Sequence, residues 1–448
     1  MKQVSFLQAV AVGLGGIIGA GIFVLSGTMI KLSGSGALLA FFITGVVAII
    51  VALEMGELTS SMPGKTGASY SFVYAAFGSE LGFITGVLLY LSFVASISAI
   101  SLGFGAYLAS MAGITTTGYR YMFAIILVAA LILLNLRGIT EAARADTYIV
   151  VFKVGVLVLF VVFALLFGRH LPANLGVPPT GGVSGIFAAS VIAMFAYAGF
   201  QSIATMAPSI KGGGRTAARA ILVAVAISLV FYVAVTFALL ALTPLSSFSF
   251  TADPLSAALR TASAPVWLFE LVDIAALAAT TSATLSMLIA GSELMAQLGR
   301  DGLLPTFLGR EKREGSIPSF ALLITGVLGM CMLFSGNIYT IAAISNFGVL
   351  FSYLISGFAL MKVRRMRHHP EKHLGDMKAE GIVERPDFRM PLYPALPVAG
   401  VILIITFFFG FPTIALSAGI SLVLVTLILY HALREDRDEP VVTVRFFK

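Results

Sequence analysis

A glycine-rich stretch near the N-terminus contains residues that could bind a small polar molecule through the main chain. It places five glycines in the nine residues from Gly13 to Gly21, within an otherwise apolar segment. Each glycine weakens a helix interior by about 1 kcal/mol relative to alanine and permits backbone angles that other residues resist. Two interpretations stay open: close helix packing, for which Gly15 and Gly19 have the GxxxG spacing, or a helix interrupted at its midpoint.

An interrupted helix would expose main-chain polar groups to a buried site. Free amides at the start of one half-helix attract a carboxylate, and free carbonyls at the end of the other half attract an ammonium group. A milder counterpart occurs at residues 195–201, Phe-Ala-Tyr-Ala-Gly-Phe-Gln, which contain one glycine, Gly199. Two interrupted helices at matching places in two halves of a chain indicate the substrate site of an inverted-repeat transporter. Such a site suits a zwitterion.

One lysine, Lys153, lies inside an apolar segment, seven residues after Asp146. At 1.5 Å per residue, a helix that begins at Asp146 carries this lysine about 10 Å into the membrane. One interpretation is that the side chain reaches back to the membrane surface, as long cationic side chains do. The other is a buried amine that exchanges a proton during a transport cycle or occupies the place of a bound cation.

The composition indicates that lipid surrounds most of the chain. Charged residues make up 11% of the 448 residues and hydrophobic residues 58%, with a mean hydropathy of +1.00. An ordinary soluble domain has about 25% charged residues, so this chain cannot build a charged shell against water. The composition therefore excludes a cytosolic enzyme, a disulfide scaffold and a disordered chain.

Membrane-spanning helices must position the residues named above. A spanning helix needs about 20 mostly apolar residues. Turn residues and charges divide the chain into twelve predicted spans, at about 6–30, 37–60, 80–112, 121–137, 146–168, 184–208, 217–243, 266–298, 317–336, 340–361, 394–410 and 412–433. The longest connecting segment, 362–393, is too short for a core of its own. The chain is therefore predicted to be a single all-α membrane domain.

The distribution of Lys and Arg predicts the orientation of these spans. With the N-terminus inside, 23 of the 28 Lys and Arg residues fall in inside segments and four in outside segments, while Lys153 lies within a span. Basic residues concentrate in cytoplasmic segments, so both termini are predicted to be cytoplasmic. The same distribution explains the net charge of +7 without a nucleic-acid partner.

Motifs for enzyme chemistry are incomplete in this sequence. Gly64-Lys65-Thr66 resembles the end of a phosphate-binding loop, but that pattern requires a glycine where the chain has Thr59. No GxSxG or HExxH sequence occurs, and the histidines of the 362–393 segment have no acidic or Cys partners at useful spacing. We therefore expect no enzyme activity, no cofactor and no metal.

Several short stretches, in this order and spacing, resemble the amino acid–polyamine–organocation (APC) transporters over most of the chain. They are Ile18 through Phe23, Pro63 through Tyr70 followed by Phe77-Gly78, Asn135 through Gly138, Gly199-Phe200, and Arg300 through Pro305. Members with the LeuT-like fold have a 5+5 inverted repeat with discontinuous helices 1 and 6, plus two further helices. The resemblance implies a first repeat in 1–168, a second in 184–361, two C-terminal helices in 394–433 and a cytoplasmic tail in 434–448.

The resemblance also implies a substrate site built from main-chain atoms of the two interrupted helices. Amides of Ala20 and Gly21 would meet the substrate carboxylate. Carbonyls at or near Ile17, Phe195 and Tyr197 would meet its ammonium group. The residues of this expected site are Ile17, Ile18, Gly19, Ala20, Gly21, Phe195, Ala196, Tyr197 and Gly199.

A second implied group of residues concerns proton coupling. The stretch from Arg144 to Lys153 resembles proton-coupled amino acid transporters of the family in particular, in which the matching lysine takes the place of a sodium ion. In this chain Lys153 would then lie near Gly15 of the first span and Thr281 and Ser282 of the eighth.

Two departures from the family pattern bear on the substrate. The family often has Glu after the Gly-Phe of span 6, where this chain has Gln201, and the acidic stretch that usually follows is replaced by residues 207–214. The missing acid at position 201 disfavours a cationic substrate, and the missing acidic stretch disfavours a cytoplasmic gating contact made by those acids. The sequence predicts a cell-membrane transporter that takes up neutral amino acids with protons by alternating access. The alternatives are an exchanger, a carrier of cationic amino acids or polyamines, and a membrane-embedded amino acid sensor.

Overall fold

The computed structural model describes residues 4–19, 21–63, 68–114, 116–136, 142–205, 210–250, 252–310 and 318–435. Throughout these ranges the regular secondary structure is helical, apart from one isolated parallel bridge between Val4 and Ile210. The all-helical fold expected from the apolar composition is thus confirmed for the described part of the chain.

The first half of the chain begins with a helix that breaks within the glycine-rich stretch. Gly78, with a φ of 90° that glycine adopts most easily, separates two of the helices that follow. The elements in order are α1 Phe6–Ile17, a π-helix Gly21–Leu25, α2 Ser26–Ser33, α3 Gly36–Ser61, α4 Ala68–Phe77, α5 Ser79–Met111, α6 Thr117–Leu136, α7 Ala142–Phe167, α8 Leu171–Leu175 and α9 Gly182–Tyr197.

The second half continues from α9 through a short 3₁₀ turn. Its remaining elements are a 3₁₀ turn Ala198–Phe200, α10 Gln201–Thr205, α11 Gly213–Leu242, α12 Pro254–Thr261, α13 Val266–Arg300, α14 Ser319–Met332, α15 Ile338–His368, α16 Pro370–Ala379, α17 Ala395–Phe408 and α18 Thr413–Glu435, with further short 3₁₀ turns at Leu245–Ser247 and Thr306–Gly309. Of the predicted tail, residues 436–448 lie outside the described ranges.

Ten helical stretches in the described residues are long and apolar enough to cross a membrane, judged by length and composition. Two predicted spans, 317–336 and 394–410, correspond to the shorter apolar helices α14 and α17, of 14 residues each. Fourteen residues extend about 21 Å, less than the roughly 30 Å of a hydrocarbon core. The described helices thus agree with a multi-pass helical membrane protein, and the count of twelve spans and the inverted repeat stay predictions.

The helices pack around a centre that contains the broken first helix. The long helix α5 packs against α13 and α15, while α11 packs against α3 and α1. Apolar side chains on the outer helices instead face outward, among them Leu166, 72% exposed on α7, and Ile428, 67% exposed on α18. Such an apolar outer surface is what contact with lipid requires.

The segment 362–393, predicted as a connecting loop, is partly helical. Helix α15 continues to His368, and α16 follows directly. The extension places Arg364 and Arg367 on one helix face, three residues apart, where both bind the buried carboxylate of Glu57 in α3. This long-range ion pair stabilises a helical extension that local sequence does not reveal.

Candidate functional site

The first membrane helix is interrupted within the glycine-rich stretch. Helix α1 ends at Ile17, and Ile18 leaves the helical region with a ψ of 61°. The amide of Gly19 turns back to donate to the Ile17 carbonyl at 2.8 Å. Ala20 lies outside the described residues, and the chain continues as the π-helix from Gly21. The break falls within the residues expected to bind substrate.

The sixth predicted span changes its helical pitch within residues 195–201. Helix α9 ends at Tyr197, the single 3₁₀ turn follows, and α10 begins at Gln201. Ala198 and Gln201 both keep right-handed helical backbone angles. The discontinuity here is a tightened turn rather than an unwound segment. One glycine, Gly199, loosens a helix far less than the five glycines of the first span.

The main chains of these two interrupted segments are in direct contact. A Cβ atom built on Gly199 would lie 2.1 Å from the carbonyl carbon of Gly16, and one built on Gly21 would lie 2.4 Å from the Cα of Ala196. Only glycine permits approaches this close. The structure thus brings together the residues predicted at positions 17–19 and 21 with those at 195–197 and 199, and all of them are buried.

Tyr232 of α11, which the sequence did not single out, sits at this junction. Its hydroxyl lies within hydrogen-bond distance of the Ile17 carbonyl and 2.8 Å from the Ala196 carbonyl. A hydroxyl has one hydrogen, so it fully serves one of the two carbonyls at a time. Nothing in the apolar sequence of α11 distinguishes this tyrosine, because its role depends on how α11 packs against α1 and α9.

Aromatic rings pack against Tyr232 at the junction. The Tyr197 ring meets it edge-on with ring centroids 4.9 Å apart, and the Phe41 ring lies 5.2 Å away. Tyr197 donates its hydroxyl to the Phe41 carbonyl at 3.2 Å, and Tyr107 donates to the Phe23 carbonyl in the π-helix at 2.5 Å. The part of the wall that these rings form is therefore aromatic and uncharged.

Replacing Tyr232 by phenylalanine removes this hydroxyl and its hydrogen bonding to the Ile17 and Ala196 carbonyls. We expect a loss of about 1 kcal/mol of stability, the usual contribution of one buried hydrogen bond, seen as a lower melting temperature of the purified protein. Tyr148→Phe is the matched control, because the Tyr148 side chain is 79% exposed. Equal melting temperatures for the two variants would show that the bonds to Ile17 and Ala196 contribute nothing.

Lys153 of α7 is buried beside the end of α1. Its side chain is 0% exposed, and its Nζ donates to the Gly15 carbonyl at 2.8 Å. A side chain that reaches back to the membrane surface would be exposed at its tip, which is not the arrangement here. The amine instead links α7 to α1 two residues before the helix ends.

The remaining residues expected near Lys153 lie on α13. Thr281 donates its hydroxyl to the Leu277 carbonyl one turn back, at 2.7 Å, and Ser282 is buried. The next residue, Ala283, packs against Gly19, because a Cβ on that glycine would lie 3.0 Å from the Ala283 Cβ. This part of α13 therefore borders the interruption, and its two hydroxyl residues stay predicted coupling residues.

Many apolar helices around a buried, interrupted helix with main-chain polar groups at its centre are features of membrane transport proteins. Comparison with known protein families identifies the class of transport protein. A family model described as amino acid permease matches residues 4–433. The chain belongs to this family.

Individual relatives share about a quarter of their residues with the chain over most of its length. The branched-chain amino acid permease BcaP of Bacillus subtilis is 26% identical, over 81% of each chain. The same-named permease of Lactococcus lactis is 28% identical, over 89% of this chain and 87% of its own. A methylthioribose transporter of Bacillus subtilis is 26% identical, over 96% of this chain and 92% of its own.

Proposed function

We propose that this protein takes up neutral amino acids together with protons, by alternating access around the interrupted helix. The observation that carries the proposal is the fully buried Lys153 amine bound to the Gly15 carbonyl, next to the break in α1. Membership of the amino acid permease family supplies the class of substrate. Proton coupling and the preference for neutral substrates are what the proposal adds.

In the proposed site, the main chain of the interruption binds the two charged ends of the substrate. The Gly21 amide would bind the carboxylate, as amides at a helix start do, and the family resemblance adds the amide of Ala20, which lies outside the described residues. Carbonyls at Ile17 and around residues 195–197 accept from the ammonium group. No ionised side chain is needed for either end, so the site is suited to the part of the substrate that all amino acids share.

The substrate side chain would then lie against aromatic and aliphatic walls. Ile18, Phe195 and Tyr197 are buried at the junction, and Gln201 carries an amide where many family members have an acid. A guanidinium or a second ammonium would find no carboxylate among these residues to offset its desolvation. The two branched-chain amino acid permeases among the relatives agree with an apolar side chain.

Proton coupling is assigned to Lys153. When protonated, the amine donates a charge-assisted hydrogen bond to Gly15, which is about twice as strong as a neutral one. Loss of the proton weakens the link between α7 and α1, so that the position of α1 depends on protonation. In the outward-open state the protonated carrier binds substrate, the core rocks, and both proton and substrate leave on the inside.

Uptake into proteoliposomes of the purified protein tests this function. We expect labelled leucine to accumulate when the outside is acidic, and unlabelled leucine, valine and phenylalanine to compete. Competition by arginine or a diamine without competition by leucine would favour the cationic carrier. Counterflow that ignores the pH gradient would favour an exchanger, and binding without translocation would favour a sensor.

A further inference from the structure

A wide cleft lies at the basic end of α15, far along the chain from the proposed substrate site. Its volume is about 960 Å³, and it is bounded by α15, the end of α4, the start of α16 and the segment leading to α17. No step of the proposed transport cycle uses it. The inference drawn from it is independent of the proposed function.

One half of this basic cleft is apolar. Ile355, Phe358 and Met361 of α15 and Phe77 of α4 line it. Phe358 is 39% exposed, although it belongs to a helix long and apolar enough to span the membrane. This half of the cleft thus presents an exposed apolar side chain on a helix suited to a membrane.

The other half of the basic cleft is strongly cationic. Five Lys and Arg residues and two Glu residues line the cleft. The first of the cations, Lys362, lies over the Phe77 ring at 4.9 Å from its centroid and joins the two halves. The remaining cations of α15 follow within the next two turns, so the charge begins where the apolar run ends. The five cations are Lys362, Arg364, Arg365, Arg367 and Arg389.

Glu57 holds several groups of the cationic half in position. Its carboxylate accepts from Arg364 Nε at 2.8 Å, from Arg367 Nη1 at 3.2 Å and from the Met390 amide at 2.7 Å. Arg364 also stacks over the Tyr393 ring at 4.2 Å. This buried acid therefore holds two of the cations and the segment at Met390 in place, so the cationic half of the cleft has a defined structure.

Two further cations, Arg365 and Arg389, complete the rim. Both are exposed and line the same cleft, one on α15 and one on the segment before α17. Cationic pockets between membrane helices bind lipid phosphates, each Lys or Arg near the surface contributing about 1 kcal/mol. Arginine in particular binds phosphate oxygens in a bidentate manner.

We propose that the basic cleft binds an anionic phospholipid. Arg365 and Arg389 bind its phosphate, and an acyl chain lies along Ile355, Phe358 and Met361. A soluble phosphate would use only the cationic half and leave the apolar half without a partner, which is why a lipid fits better. Because its phosphate would join the end of α15 to the segment before α17, the lipid would stabilise their packing.

The test measures binding of phosphatidylglycerol to the full-length protein in detergent, by native mass spectrometry and by thermal unfolding. We expect phosphatidylglycerol to bind and to raise the melting temperature, and phosphatidylcholine and inorganic phosphate to do neither. Arg365→Gln with Arg389→Gln should weaken binding about thirty-fold, about five-fold for each cation. The matched control is Arg215→Gln with Arg219→Gln, two exposed cations of α11 that do not line the cleft.

A third variant separates loss of the lipid from loss of the fold. Arg365→Lys with Arg389→Lys keeps both charges and should keep most of the affinity. Equal binding by the glutamine and control variants would overturn the proposal, as would equal binding of phosphatidylcholine. A shift in melting temperature produced by inorganic phosphate alone would assign the cleft to a soluble anion instead.

Discussion

Replacing Lys153 by methionine is expected to abolish proton-driven accumulation of substrate. If one proton accompanies each substrate, one unit of pH gradient supports about tenfold accumulation, since it supplies 1.36 kcal/mol. Without the amine, the Gly15 carbonyl loses its charge-assisted donor and the position of α1 no longer depends on a proton. The accumulation ratio should fall to about one, while substrate still binds to the purified variant.

Two further variants serve as comparisons for Lys153→Met. Lys153→Arg retains a donor that stays protonated under all working conditions, so it should bind substrate and still fail to couple. Lys31→Met makes the same substitution at an exposed lysine and should leave accumulation unchanged. If Lys153→Met proteoliposomes still accumulate leucine under a pH gradient, the coupling role of Lys153 is wrong.

Replacing Gly199 by alanine is expected to separate the two segments that form the junction. The new Cβ would lie 2.1 Å from the Gly16 carbonyl carbon and 2.5 Å from the Ile17 amide nitrogen. These are main-chain atoms, which cannot rotate away as a side chain can, so the helices themselves must move. Overpacking commonly costs about 1–3 kcal/mol and occasionally more, and we expect the upper end here together with loss of uptake.

The matched control for Gly199→Ala is Gly155→Ala on α7. No heavy atom lies within 4 Å of the Cβ position at Gly155, and alanine favours a helix by about 1 kcal/mol relative to glycine. This variant should therefore unfold at the same temperature as the parent or higher. An unchanged melting temperature and unchanged uptake for Gly199→Ala would contradict the close main-chain contact with Gly16.

The interruption of the first helix could be predicted because its cause is local. Five glycines in nine residues weaken a helix wherever it is placed. The weaker glycine signal around Gly199 corresponds to a smaller irregularity, a single 3₁₀ turn between two helices. The density of glycine thus predicted the break in the first span, whereas the irregularity at Gly199 was predicted from the position of its span in the chain.

Features that depend on long-range packing could not be read from the sequence. Tyr232 resembles any aromatic residue of an apolar helix, yet α11 places its hydroxyl between two carbonyls from different segments. The helical extension of α15 depends on Glu57, 307 positions from Arg364. A prediction based on the length of apolar runs also overestimates helices such as α14, because turns can occupy part of an apolar run.

The hydroxyl of Tyr232 has a consequence for ligand binding at the junction. The Ile17 carbonyl also accepts from the Gly19 amide, so it keeps one donor whichever way the Tyr232 hydroxyl turns. An ammonium group could therefore donate to one of the two carbonyls while the single hydroxyl hydrogen turns to the other. The junction could thereby accept such a ligand without losing the hydrogen bond that Tyr232 provides.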